Sequence, residues 1–297
     1  MHALKSKIRF IEKENSDYPA LLKEIGNPPS GLYILGDLPD EKIPRLAIVG
    51  TRKATSAGRL LAKKISQKLS DLGIIIVSGL AMGIDTAAHE GAVAAGAKTI
   101  AVLGNGLAEI YPRQNENLAQ KILECKGAII SEYAPETPAL PHQFLERNRI
   151  VSGLCLGVIV IEAPIDSGAL VTARLAAEQG REVFVFPGPH DHPNFRGSHK
   201  LIRDGARLVA SVEDILEDLG VEIPNDKFPV PNKFKIPNFK LDENQLAVFG
   251  ALQKEGRPLI IDKIVHITNL EPQDISRAIT FLVINNIIKE TERGYII

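Results

Sequence analysis

A chain of 297 residues that is 44% hydrophobic and 24% charged has the composition of a soluble globular protein with a real core. Its formal charge is −1, so affinity for a polyanion must rest on local clusters, not on a basic surface overall. The N-terminus carries no long apolar stretch, no apolar run approaches the ~18 residues of a membrane span, and the two cysteines form no CxxC pair. These features predict a cytoplasmic protein with reduced thiols and no membrane partner.

Residues 1–44 are punctuated by Asp17-Tyr18-Pro19 and Asn27-Pro28-Pro29 and read as an extension packed on the core. From 45 to 219 short apolar runs bounded by Gly or Pro alternate with helical periods. Strands are predicted over 46–49, 74–77, 99–103, 128–130, 157–161, 182–186 and 207–209. Helices are predicted over 56–72, 83–95, 115–124, 144–154, 168–179 and 211–219. Gly73, Gly96, Gly127 and Gly180 are expected to close helices. The fold class is α/β: a Rossmann-like doubly wound parallel sheet. Residues 220–240 hold four prolines and four lysines against two acids and read as a semi-stiff linker. Residues 241–297 show three helical periods and two short strands, the pattern of a small C-terminal winged-helix domain.

Ligands of doubly wound sheets bind beyond the carboxyl ends of the strands. Those ends carry Gly50-Thr51-Arg52-Lys53, the turn from Ser78-Gly79 through Gly83 to Asp85, Gly104-Asn105-Gly106, Glu162 with Ser167-Gly168, and Pro187-Gly188-Pro189. The turn at 78–85 is expected to offer backbone N–H groups to an anion at a helix N-terminus. No GxGxxG, Walker or GxSxG pattern is present, so Ser78 has no sign of being a nucleophile. Asp85 is read as a helix cap.

A second stretch, His142 to Leu154, sets Arg147-Asn148-Arg149 three residues after Phe144. Arginine grips phosphate bidentately, asparagine caps or reads a base edge, and an aromatic ring offers a stacking face. Arg147 and Arg149 point to different helix faces; a structural ion pair with Glu146 or Glu162 is the competing role. A third basic group includes Arg196, His199, Lys200 and Arg203. Its histidines lack a matched carboxylate spacing, so no metal site and no cofactor is expected. Residues 241–297 hold six basic against eight acidic residues, which favours a protein contact over a duplex DNA contact.

Ile48-Val49-Gly50-Thr51-Arg52, Ser78 to Asp85, Ala101-Val102-Leu103-Gly104, Tyr111-Pro112, Ser131-Glu132-Tyr133, Arg147-Asn148-Arg149-Ile150, Ser167 to Arg174 and Pro187-Gly188-Pro189 together resemble the DprA/Smf family. The resemblance covers residues 15–219 in order, with a winged helix like the one many members carry. It implies a bacterial DNA-processing protein that binds single-stranded DNA, forms a homodimer through its Rossmann-like domain, and loads the RecA recombinase during natural transformation. Such a protein is a binding protein and not an enzyme. Carried over position by position, the DNA contacts are Arg52, Ser78, Gly79, Gly83, Gly104, Phe144, Arg147, Asn148, Arg149, Ser167, Gly168 and Lys200. Two other classes fit less of the sequence. A LOG-like nucleotide phosphoribohydrolase needs a PGGxGT loop, where 165–172 reads IDSGALVT. A winged-helix regulator of duplex DNA needs a more basic C-terminal domain.

Overall fold

The computed structural model describes residues 8–220, 242–255, 258–268, 270–284, 288–291 and 294–296. The expected linker lies outside the described residues apart from Gly220. Contacts divide the chain into two units, 1–223 and 224–297.

Among the described residues the first unit is built on nine strands: β1 (Arg9–Glu12), β2 (Gly31–Gly36), β3 (Arg45–Gly50), β4 (Ile75–Ser78), β5 (Thr99–Val102), β6 (Ala128–Ser131), β7 (Gly157–Ile161), β8 (Glu182–Val185) and β9 (Arg207–Leu208). They form one sheet in the order β1-β2-β6-β5-β4-β3-β7-β8-β9. The strands from β6 to β9 in that order pair parallel. The first two, for which the sequence suggested no strand, join at one edge antiparallel, with Ile34 opposite Ile130. The sheet is therefore a doubly wound parallel sheet with an antiparallel margin. The chain lays down β3 to β6 in one direction, then returns to place β7 on the other side of β3. This reversal opens a crevice at the carboxyl ends of β3 and β7.

Both faces of the sheet are covered, which is why the strands read as continuous apolar runs. Alternation splits β3 between two cores. Ala47 and Val49 pack beneath the helices Pro141–Gly153 and Gly168–Glu178 with Val77, Val158 and Val160. Leu46 and Ile48 face the helices Ser56–Asp71 and Ile84–Ala94 with Ile76 and Ile161. Gly73, Gly96 and Gly180 close their helices with positive φ. Gly127 does not: Lys126 takes the left-handed position at φ 57°, and a Cβ on Gly127 would lie 2.4 Å from the Thr99 carbonyl oxygen. Close packing, not turn geometry, calls for a glycine there.

The second unit has helices Glu243–Glu255, Ile261–Thr268 and Pro272–Ile284, followed by antiparallel strands β10 (Lys289–Thr291) and β11 (Gly294–Ile296). Leu259 and Tyr295 exchange backbone hydrogen bonds of 2.9 and 2.8 Å, which ties the strand pair to the loop before the second helix. Val248, Leu252, Ile264, Ile275, Ile279 and Leu282 form its core.

Candidate functional site

Both ends of the loop after β3 are anchored on one residue. Glu162, at the end of β7, is 1% exposed and has φ 54°. Its carbonyl accepts the Thr51 N–H at 2.8 Å. Its carboxylate accepts the Thr55 N–H at 2.9 Å, the Thr55 hydroxyl, and the Asn194 amide at 3.0 Å. Asn194 also donates to the Lys53 carbonyl at 3.1 Å. A buried carboxylate surrounded by donors is satisfied without a basic partner. The loop backbone is thereby fixed while the Arg52 and Lys53 side chains stay in solvent.

The glycine turn after β4 is organised inward, contrary to the expectation of an open anion-binding turn. Ser78 is fully buried and donates its hydroxyl to the Ile48 carbonyl at 2.7 Å. The Gly79 N–H donates to Asp85 Oδ2 at 3.1 Å, so it is consumed internally. Leu80 takes φ 56° to bury its side chain, and its carbonyl accepts from Asn115 at 2.8 Å. Asp85 does not cap its helix: Gly83 occupies the N-cap position and Asp85 closes the turn instead. Gly83 has φ 87°, and a Cβ there would lie 2.3 Å from the Thr51 carbonyl oxygen. It lets the two loops touch and is not itself exposed to the crevice.

Arg147 lies over this turn and is 4% exposed. It donates to the Gly79 carbonyl at 2.8 Å and to the Val102 carbonyl. A Cβ on Gly79 would fall 2.4 Å from its guanidinium, so a glycine is needed there. Burial lowers Arg147 to about 10, while Asp85 pulls it back toward the charged form. Burial raises Asp85 to about 6 against the pull of Arg147 and of the backbone N–H groups of Ala81 and Gly79. Below them His89 is fully buried, and burial lowers it to about 3. The Thr99 hydroxyl donates to Ile76 at 2.6 Å, so its oxygen accepts from His89 Nδ1 at 2.9 Å, which fixes the neutral Nδ1–H tautomer.

Above this base lies a cleft of about 510 Å³ at the β3/β7 reversal. It brings together Arg52, Gly79, Phe144, Arg147, Asn148, Ser167 and Gly168 of the residues singled out in the sequence, and adds Thr51, Lys53, Asp166 and Thr172. The Arg52 guanidinium sits over the Phe144 ring, 5.5 Å from its centroid. Ser167 caps the helix Gly168–Glu178, accepting from the Ala169 N–H at 3.2 Å. The Asn148 amide donates to the Gly168 carbonyl at 3.3 Å, joining the two helices that flank the cleft. Gly104 stands behind the ring: a Cβ there would lie 2.9 Å from Phe144.

Two expected contacts lie elsewhere. Arg149 turns to the opposite face of its helix and makes a bidentate pair with Glu132 at 2.8 and 2.6 Å, not with Glu146 or Glu162. Lys200 lines a neighbouring groove and pairs with Asp204 at 2.9 Å. Lys53 was visible as half of a basic pair, and only its place at the lip of the cleft distinguishes it. Glu162 stood in the sequence as a strand-end acid and a candidate ion-pair partner, with no signal for the loop contacts it makes. Among the described residues no group of three or more His, Cys, Asp or Glu side chains is arranged to hold a metal ion. None of the described helices is long and apolar enough to cross a membrane.

Residues 9–220 match the family model described as DNA recombination-mediator protein A. The chain is 44% identical over 210 residues to protein Smf of Escherichia coli, an alignment covering 71% of this chain and 56% of that protein. It therefore spans little more than half the length of that relative. The crystal structure of DNA processing protein A from Streptococcus pneumoniae aligns with a TM-score of 0.66 at 40% identity, covering 73% of this chain and 76% of the other. DNA processing protein A from Helicobacter pylori, solved to describe its single-stranded DNA binding mode, aligns with a TM-score of 0.63 at 30% identity, covering 72% and 97%.

Proposed function

The chain belongs to the DNA recombination-mediator protein A family, and on that premise we propose that it binds single-stranded DNA in the β3/β7 cleft as a recombination mediator and not as an enzyme. The observation that carries this reading is the Arg52 guanidinium over the Phe144 ring with Lys53 beside it at the lip of the cleft. A cation for phosphate and an aromatic face for an unpaired base are the two elements of single-strand recognition. The single-strand binding described for the Helicobacter pylori relative supports it. Arg52, Lys53 and Phe144 are the direct contacts in this reading. Gly79, Arg147, Asn148, Ser167 and Gly168 shape the cleft, while Ser78, Gly83 and Gly104 act only through packing.

The same reading assigns 1–44 and 45–219 to the DNA-binding body, 220–240 to a linker and 241–297 to a winged helix. With six basic against eight acidic residues, the latter serves protein contact. We carry over from the family resemblance, as part of the same proposal, homodimer formation, RecA loading in DNA uptake and a cytoplasmic location.

The test is fluorescence anisotropy with single-stranded and duplex DNA at two salt concentrations. Single strands are expected to bind more tightly, and Arg52→Ala to weaken binding about 10-fold and reduce the salt slope by about 1. A preference for duplex, or an Arg52→Ala protein with unchanged affinity and slope, overturns the reading.

A further inference from the structure

Tyr111 lies in the loop between β5 and the helix Glu116–Glu124. The residue is 47% exposed, although the one before it, Ile110, is buried. Both flanks of the loop are anchored. The Asn105 amide donates to the Gly106 and Glu109 carbonyls, each at 2.9 Å. Asn115 donates to Leu80 at 2.8 Å and to Thr86 at 2.9 Å. A single exposed aromatic is ordinary on a protein surface. This one is held on a rigid loop, with its ring centroid 5.3 Å from that of Phe144 at an angle of 42°. Phe144 is the ring that carries the Arg52 guanidinium. Arg52, Phe144 and Tyr111 therefore form a continuous row of planar groups contributed by two strand-end loops and the first turn of the helix Pro141–Gly153.

We propose that Tyr111 is a second stacking platform, which takes the base next to the one seated at Arg52 and Phe144. The inference rests on the reading of the cleft as a single-strand site. Stacking on a ring face is tolerant of base identity, because every base has a π-face. It also adds affinity without adding a phosphate contact, so its loss has a signature distinct from that of an arginine. The ring, not the hydroxyl, does the binding.

The test measures single-strand affinity across a salt series for the full chain and for Tyr111→Ala, Tyr111→Phe and Arg52→Ala, using oligo-dT of about 16 nucleotides. Tyr111→Ala is expected to weaken binding about 10-fold with an unchanged salt slope, and Tyr111→Phe to keep nearly full affinity. An oligonucleotide made abasic throughout is expected to bind the parent and Tyr111→Ala equally. Photocrosslinking with 5-iodouracil is expected to label Tyr111. If Tyr111→Ala binds like the parent while Arg52→Ala is weakened, the platform is wrong and the single-strand site stands. If Tyr111→Ala flattens the salt slope, or Tyr111→Phe is as weak as Tyr111→Ala, stacking is the wrong account of the residue. If the parent shows no single-strand binding, both the site and the platform fall. Tyr111→Ala removes a half-exposed ring, and an unchanged melting temperature separates lost binding from lost fold.

Discussion

The glycine turn at 78–85 and the loop at 50–55 both follow central strands, yet they do opposite things. The turn is dense in motif residues and faces inward: Ser78 is buried, the Gly79 N–H is taken by Asp85, and Arg147 covers it. The loop is held by its backbone and presents Arg52 and Lys53 to solvent. A run of glycines at a strand end thus marks where chain segments must approach one another, and the exposed cations stand one strand away.

The sharpest way to break this contrast is to remove an arginine from each region. Arg147→Ala leaves Asp85 buried without its cation, and the expected loss is about 3–5 kcal/mol of folding stability by urea unfolding. Arg52→Ala removes an exposed side chain and should cost no more than about 0.5 kcal/mol. Equal losses would mean that the two regions do not differ in kind.

The turn also predicts a pH signature, through two buried groups of opposite sign. His89 has a folded value of about 3 against 6.5 when free, so the unfolded chain holds the extra proton between them. Its contribution is complete above 6.5 and is lost as pH falls toward 3. Asp85 is raised from 3.8 to about 6, so the folded chain holds the extra proton between those values. Its contribution is complete below 3.8 and is lost as pH rises through 6. Where the windows overlap the slopes oppose each other, each at about 1.4 kcal/mol per pH unit. Relative to the parent, Asp85→Asn should lose stability on acidification between about pH 6 and pH 4, and His89→Asn should gain it. Parallel profiles for all three proteins would refute the assignment of these protons.

The smallest effect is expected at Lys200, which pairs with Asp204 on an exposed helix face and lies in the neighbouring groove. Lys200→Ala should leave the urea midpoint and the single-strand affinity unchanged within error. A loss of affinity would extend the binding surface beyond the cleft.

The parallel strands from β3 to β9 were legible because strands buried on both faces read as short apolar runs between Gly and Pro. β2 was not legible. Gly31–Gly36 sits among prolines, and its place depends on Ile34 meeting Ile130, far along the chain. In the cleft, Arg52, Phe144 and Ser167-Gly168 stood at strand or helix ends, where topology alone brings residues together. The opposite directions of Arg147 and Arg149 followed from helical spacing. Which of them turned inward did not, because that depends on the depth of Gly79 and on Glu132 from another strand. Tyr111 was visible only as part of a motif, since its neighbour Phe144 comes from a helix far along the chain.

Glu162 gathers Thr51 onto its carbonyl and Thr55 and Asn194 onto its carboxylate. The consequence is thermodynamic. The backbone at the lip of the cleft gives up its conformational freedom during folding, so in the proposed single-strand complex the entropic cost of association falls on the strand and on the Arg52 and Lys53 side chains. A ligand already stiffened into the curve of the cleft would gain affinity, and further rigidity in the backbone of the lip would gain none.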